Sequence, residues 1–187
     1  MSGRERLFRT EAVILRRQDL GEADRLVVAY SPERGKLRLV AKGVRRLTSR
    51  KAGHLEPFSR TSLLIARGRE LDIISQAEAV EMFPALESDL QRVGQASYVV
   101  ELIDRFTFEE GGSRPAYTLL VETLRRLASG SAPAAVVLRF YELRLLDLMG
   151  YRPEFFRCVQ CGNETRPEAQ SFAPALGGVL CQHTAAG

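Results

Sequence analysis

The 187 residues are 45% apolar and 27% charged, a balance that fits a globular chain of one or two domains and excludes collagen-like, low-complexity and strongly disordered classes. No apolar run approaches the ~18 residues of a membrane span, and Met1-Ser2-Gly3-Arg4-Glu5-Arg6 leads into no apolar signal-peptide core, so a cytoplasmic protein is expected. Net charge is +4, unevenly placed: residues 1–75 hold 17 Lys+Arg against 9 Asp+Glu, and residues 76–187 hold 10 against 14, so the front half has the character of a polyanion-binding module.

From Thr10 to Glu78 the chain reads as five short strands rich in Val, Ile and Leu. They are expected at about Glu11–Arg17, Arg25–Tyr30, Lys36–Val44, Phe58–Ala66 and Leu71–Ala77. Turns at Gly21-Glu22-Ala23-Asp24, Ser31-Pro32-Glu33-Arg34-Gly35 and Arg67-Gly68-Arg69 separate them, with a longer loop from Arg45 to Gly53. Five such strands in about 70 residues fit a closed OB-fold barrel, which leaves no exposed sheet edge. After Pro84 the period becomes helical. Ser88 is the expected N-cap of a helix over Asp89–Phe106 with Val93, Ala96, Val99, Val100 and Ile103 on its apolar face. Ser113-Arg114-Pro115 and Ser131-Ala132-Pro133 open two more helices, closed by Gly130 and Gly150. The expected architecture is therefore α+β and multidomain: an OB-fold barrel (1–79), a helical domain (80–153) and a short zinc-ribbon-like segment (154–187).

Between Arg34 and Lys51 stand eight basic residues, Arg34, Lys36, Arg38, Lys42, Arg45, Arg46, Arg50 and Lys51, and no acidic one. Lys36, Arg38 and Lys42 share strand parity and are expected to project from one face, opposite Leu37, Leu39 and Ala41. The loop residues that follow extend this stripe as a flexible basic arm. Eight like charges repel one another unless a polyanion neutralises them and releases its counterions. Residues 1–75 contain no Trp and only Phe8, Tyr30 and Phe58 as aromatics, so base-stacking platforms are few and the expected grip is on the backbone. Phosphate contacts do not separate DNA from RNA, and an RNA-binding or translation-associated OB protein is the alternative reading.

Cys158-Val159-Gln160-Cys161 is a Cys-x₂-Cys knuckle, and Cys181 follows after nineteen intervening residues. Thr184 stands where a four-thiolate ribbon places its last ligand, and His183 is the substitute. Three readings are open: structural zinc held by Cys158, Cys161, Cys181 and His183 or water, a metal-free loop, or a redox pair. His54 lies two residues from Glu56, but no motif places a nucleophile, a P-loop or a dinucleotide fingerprint. A turn or strand-end role for His54 is expected, and no enzyme.

As a set, Glu11-Ala12-Val13-Ile14-Leu15, Gly21-Glu22-Ala23-Asp24-Arg25-Leu26, Ser31-Pro32-Glu33-Arg34-Gly35-Lys36, Ala41-Lys42-Gly43-Val44-Arg45-Arg46 and His54-Leu55-Glu56-Pro57-Phe58 resemble the N-terminal barrel of the bacterial RecO family. Leu148-Met149-Gly150-Tyr151-Arg152-Pro153 and the knuckle resemble that family's junction between helices and zinc region. The resemblance implies a non-catalytic DNA repair and recombination mediator. Such a protein binds single-stranded and double-stranded DNA, anneals complementary strands and, with RecR, helps load RecA onto DNA coated by single-strand-binding protein. It also implies further helices beyond Gly187, so that a truncated or naturally shortened chain is expected.

Overall fold

A computed structural model describes residues 6–109, 111–166 and 170–182. The chain forms two compact units, Met1–Tyr141 and Glu142–Gly187.

In the first unit five strands close into a barrel: β1 (Leu7–Leu20), β2 (Asp24–Ser31), β3 (Gly35–Ala41), β4 (Arg60–Ala66) and β5 (Asp72–Glu81), in the order β1-β2-β3-β5-β4. This is the OB-fold barrel expected from the strand count. Closure depends on the length of β1. Its first half pairs with β4 from Leu7↔Ala66 to Val13↔Arg60, and its second half pairs with β2 from Val13↔Tyr30 to Leu20↔Asp24. A bulge between Ile14 and Arg16 lets one strand serve both neighbours. The remaining gap is closed by a short parallel pairing of β3 with β5, Leu39↔Asp72 and Val40↔Ile73.

The interior is packed by alternate residues, Phe8, Ala12 and Ile14 from β1, Val27 and Ala29 from β2, Leu39 and Ala41 from β3, Leu63 and Ile65 from β4 and Ile74 from β5, with Val44 and Leu55 plugging from the loops. Val13, Val28 and Tyr30 on the opposite face are also buried. The helices α2 (Leu90–Phe106) and α3 (Arg114–Ser129) pack on this side of β1 and β2. Burial on both faces explains why Leu26-Val27-Val28-Ala29-Tyr30 is an unbroken apolar run.

Several boundaries differ from expectation. β1 begins four residues early and β5 runs to Glu81. β3 ends at Ala41 rather than Val44, because Gly43 takes a left-handed conformation (φ 65°) and its carbonyl accepts from Arg46 N–H at 3.2 Å, turning the chain. Ser88 does not cap α2. A short helix α1 (Pro84–Glu87) precedes it and leaves Ser88 donating to Ala85 O, while Asp89 accepts from Gln91 and Arg92 N–H at 2.7 and 3.3 Å. Ser113 caps α3 and Gly130 (φ 63°) ends it, as the sequence predicts. A fourth helix, α4 (Ala134–Leu148), buries Tyr141, whose hydroxyl donates to Val99 O at 3.0 Å.

The second unit holds a hairpin of β6 (Ser171–Ala173) and β7 (Gly178–Leu180). Val159 N–H bonds to Val179 O at 3.0 Å and Val179 N–H to Glu154 O at 2.9 Å, so the hairpin carries the cysteine knuckle.

Candidate nucleic-acid interface

The barrel divides the eight predicted cations among different surroundings. Lys36 turns toward α2, where its ammonium lies 2.9 Å from Asp104 Oδ1 and also donates to Asp104 O, with the Lys36 side chain only 16% exposed. Arg16 reaches the other oxygen of Asp104 at 3.0 Å. Burial works against charge on Asp104, but the hydrogen bonds from Lys36 and Arg16 outweigh it and hold the carboxyl below its ordinary value. Arg38 lies 3.6 Å from Glu109. The guanidinium of Arg34 stacks 4.0 Å from the centre of the Phe8 ring, near that of Arg67 at 4.7 Å. Arg45 bonds to Gly21 O at 3.0 Å and faces Asp19 at 3.4 Å.

Lys42, Arg46, Arg50 and Lys51 instead line one groove of about 610 Å³ on the barrel wall, together with Arg9, which sequence parity alone did not bring to notice. Arg9 preceded the expected first strand; only the extension of β1 and its Arg9↔Leu64 register carry it beside Ser62, to whose hydroxyl it donates at 3.3 Å. Ser49, Ser62, Ser75 and Gln76 add neutral polar groups, Glu78 is the single carboxylate of the lining, and the one ring there is the imidazole of His54, with no Phe, Tyr or Trp beside it.

Nor is the loop after β3 a free arm. Arg45 N–H bonds to Ala23 O at 2.9 Å, Gly43 N–H to Asp24 Oδ1 at 2.7 Å, and Ser49 N–H to Arg46 O at 2.9 Å. Lys51 Nζ donates to Lys42 O and Ile74 O at 3.1 and 3.0 Å, tying the far end of the loop to β5. Partial burial lowers the pKa of Lys51, against the pull of Asp24. These bonds make a basic wall whose backbone is fixed before any ligand arrives.

His54 has a structural part, as expected: its Nδ1 accepts from Ala79 N–H at 3.2 Å and its carbonyl accepts from Thr61 Oγ1 at 2.9 Å. Glu56 is engaged by Arg17, so the two do not form an acid–base pair. A larger cleft, about 770 Å³, runs between β1 and α2 over Leu15, Phe58, Val93 and Val100. Its rim arginines each have a carboxylate partner, Arg16 with Asp104, Arg17 with Glu56 and Arg105 with Glu101. That cleft is charge-compensated where the 610 Å³ groove is not.

In the second unit the ligand atoms of Cys158, Cys161 and Cys181 lie within 4.8 Å of one another. The knuckle brings the first two together: Gly162, at φ 76°, donates to Cys158 O at 2.8 Å, and Cys158 N–H bonds to Asn163 O at 2.8 Å. Cys181 N–H points at Cys158 Sγ, 3.4 Å away, and the Cys161 and Cys181 sulfurs are 3.7 Å apart. At Gly178 an added Cβ would fall 2.4 Å from Val159 Cγ1 and 2.8 Å from Glu154 O, so only glycine lets the hairpin approach this closely. Three converging thiols suit a soft-ligand ion such as Zn²⁺. The predicted fourth ligand, His183, and Thr184 lie outside the described residues.

Two family profiles divide the sequence between them. "Recombination protein O N terminal" matches residues 1–83 and "Recombination protein O C terminal" matches residues 87–187. The chain belongs to the RecO family. Its RecO relatives include proteins called DNA repair protein RecO from Roseiflexus sp., 47% identical over 95% of this chain, and from Desulforudis audaxviator, 46% identical over 94%. A third, from Pelotomaculum thermopropionicum, is 41% identical over 94%. The chain spans 62%, 69% and 68% of the lengths of these relatives, respectively. Among the described residues no helix is long and apolar enough to cross a membrane.

Proposed function

We propose that this chain acts in DNA repair as a non-enzymatic mediator that holds single-stranded DNA by its backbone and brings complementary strands together. The observation that carries the reading is the groove of Arg9, Lys42, Arg46, Arg50 and Lys51, five cations facing one carboxylate with no Phe, Tyr or Trp platform, its one ring, His54, being tied to Ala79 N–H. Cations at the backbone without base-stacking aromatics favour any sequence equally, and that tolerance is what annealing of arbitrary strands requires. Membership of the RecO family supports a DNA rather than an RNA ligand. Arg34, Arg38 and Arg45, half-engaged by neighbours, serve in this reading as secondary phosphate contacts for double-stranded DNA. The protein works in the cytoplasm at the nucleoid, with RecR as partner, loading RecA onto strands coated by single-strand-binding protein.

The test is the salt dependence of single-strand binding. Four or five phosphates engaged by this groove give a log–log slope of about −3 to −3.5, from ~0.7 per phosphate. Changing Lys42, Arg46 and Arg50 together to Glu abolishes binding and annealing while the circular dichroism spectrum stays unchanged. Affinity independent of salt, or a triple variant that still anneals, overturns the reading. A matched RNA strand competing better than DNA does the same.

Cys158, Cys161 and Cys181 hold one structural Zn²⁺ in this reading, with His183 or a water completing the tetrahedron. Metal analysis of the purified chain at one zinc per molecule, lost in Cys158→Ser, checks it; metal-free protein with reactive, unprotected thiols refutes it.

A further inference from the structure

The loop between β3 and β4 carries a large apolar side chain that neither the fold nor the groove uses. Leu47 is fully exposed, with relative accessibility 106%, next to Arg46 and three residues before Arg50 of the groove. A single exposed leucine is ordinary on a protein surface. This one is held out by its backbone. Gly43 O accepts from Arg46 N–H and Arg46 O from Ser49 N–H, two successive turns with Leu47 inside the second. The loop is fastened at one end by Arg45 N–H to Ala23 O and at the other by Lys51 to Lys42 O and Ile74 O. Leu47 thus stays in water while its neighbours attract phosphate.

We infer that Leu47 is a wedge that enters the last base step where paired DNA meets unpaired strand. This rests on the DNA-binding reading above and adds to it a preferred substrate, the junction. Charge complementarity selects the occupant: cations on either side of Leu47 draw in two stretches of sugar-phosphate, which brings bases to the apolar tip between them. An aliphatic side chain gains little from a mobile single strand, because it does not stack as an aromatic ring does. At a junction the terminal pair is stacked on one side only, so its remaining step opens most easily and Leu47 can enter it, taking its own apolar surface out of water. Apolar side chains that enter a base step in this way part the stack locally. Such a wedge marks the point from which annealing proceeds.

The experiment uses the full chain and a forked oligonucleotide with 2-aminopurine at the last paired position. Binding of the unaltered protein is expected to raise its fluorescence at least about twofold through unstacking, with little change when the probe sits deep in uniform duplex. Leu47→Ala removes the rise while single-strand affinity and salt slope stay within about twofold, since no phosphate contact is lost. Leu47→Phe restores it. If Leu47→Ala keeps the full rise, or the unaltered protein binds the fork with its full salt slope and no rise, the wedge is refuted and the backbone grip stands. Failure of the unaltered protein to bind either strand refutes both.

Discussion

Replacing Lys36 by Met separates a residue that braces the fold from one proposed to grip DNA. Lys36 stands in the middle of the basic stretch, yet its ammonium is committed to Asp104, both side chains being less than 20% exposed. The Met side chain keeps the aliphatic stem and deletes the charge. A charge-assisted hydrogen bond contributes about 1.5–3 kcal/mol, and Arg16 remains on Asp104 to offset part of the loss, so the expected cost is about 2 kcal/mol. For a chain of this size that lowers Tm by roughly 4–8 °C, at ~2–4 °C per kcal/mol. Lys42→Met, at the exposed groove, leaves Tm within about 1 °C and flattens the single-strand salt slope by ~0.7, the share of one phosphate. Thermal melts and fluorescence anisotropy titrations over a range of salt measure both quantities on the same two proteins. If Lys36→Met flattens the salt slope and spares Tm, the assignment of Lys36 to the barrel–helix brace is wrong.

Other outcomes follow from the same geometry. Arg60 donates to both oxygens of Glu11 and, with Arg125, to Glu81; Arg60 chiefly holds the carboxyl of Glu11 below its ordinary value, and Arg125 that of Glu81. Groups with depressed folded pKa contribute stability above their unfolded pKa and lose it as pH falls through the folded one. Tm should therefore be level near neutrality and fall below about pH 4.5, less steeply in Glu11→Gln and Glu81→Gln. Equal slopes in all three proteins would remove these carboxylates as the cause. Gly112→Ala places a Cβ 2.3 Å from Glu33 C and 2.5 Å from Pro32 O, a backbone clash expected to cost about 1–3 kcal/mol; an unchanged Tm would show that Gly112 does not seat against the β2–β3 turn. Stripping metal with a chelator is expected to loosen residues 154–182 in hydrogen exchange and leave single-strand affinity within about twofold, and no change in protection would argue against a structural ion.

The wall that carries the proposed grip was only partly legible in the residues. Lys42, Arg46, Arg50 and Lys51 stood out because like charge without a carboxylate is visible along a chain. Arg9 did not, because it is brought beside them by the pairing of β1 with β4, more than fifty residues apart. Asp104 lies 68 residues from Lys36, and no local pattern announces that a helix will take that lysine out of solvent. The loop looked mobile since its composition is polar and basic; its anchors, Ala23 O, Asp24 and Ile74 O, belong to other strands.

By itself, then, the sequence determined the alternation that makes a five-stranded barrel, the Ser-Pro and Gly punctuation of the helices, the excess of positive charge and the cysteine spacing, all properties of neighbours within a few residues. Tertiary structure decided which cations share a wall, which are neutralised by helix carboxylates, and that Leu47 stands alone at the tip of a fastened loop. Those outcomes depend on strand register and on helix packing over β1 and β2, where small shifts in the chain change which side chains meet, and no nearest-neighbour pattern encodes them.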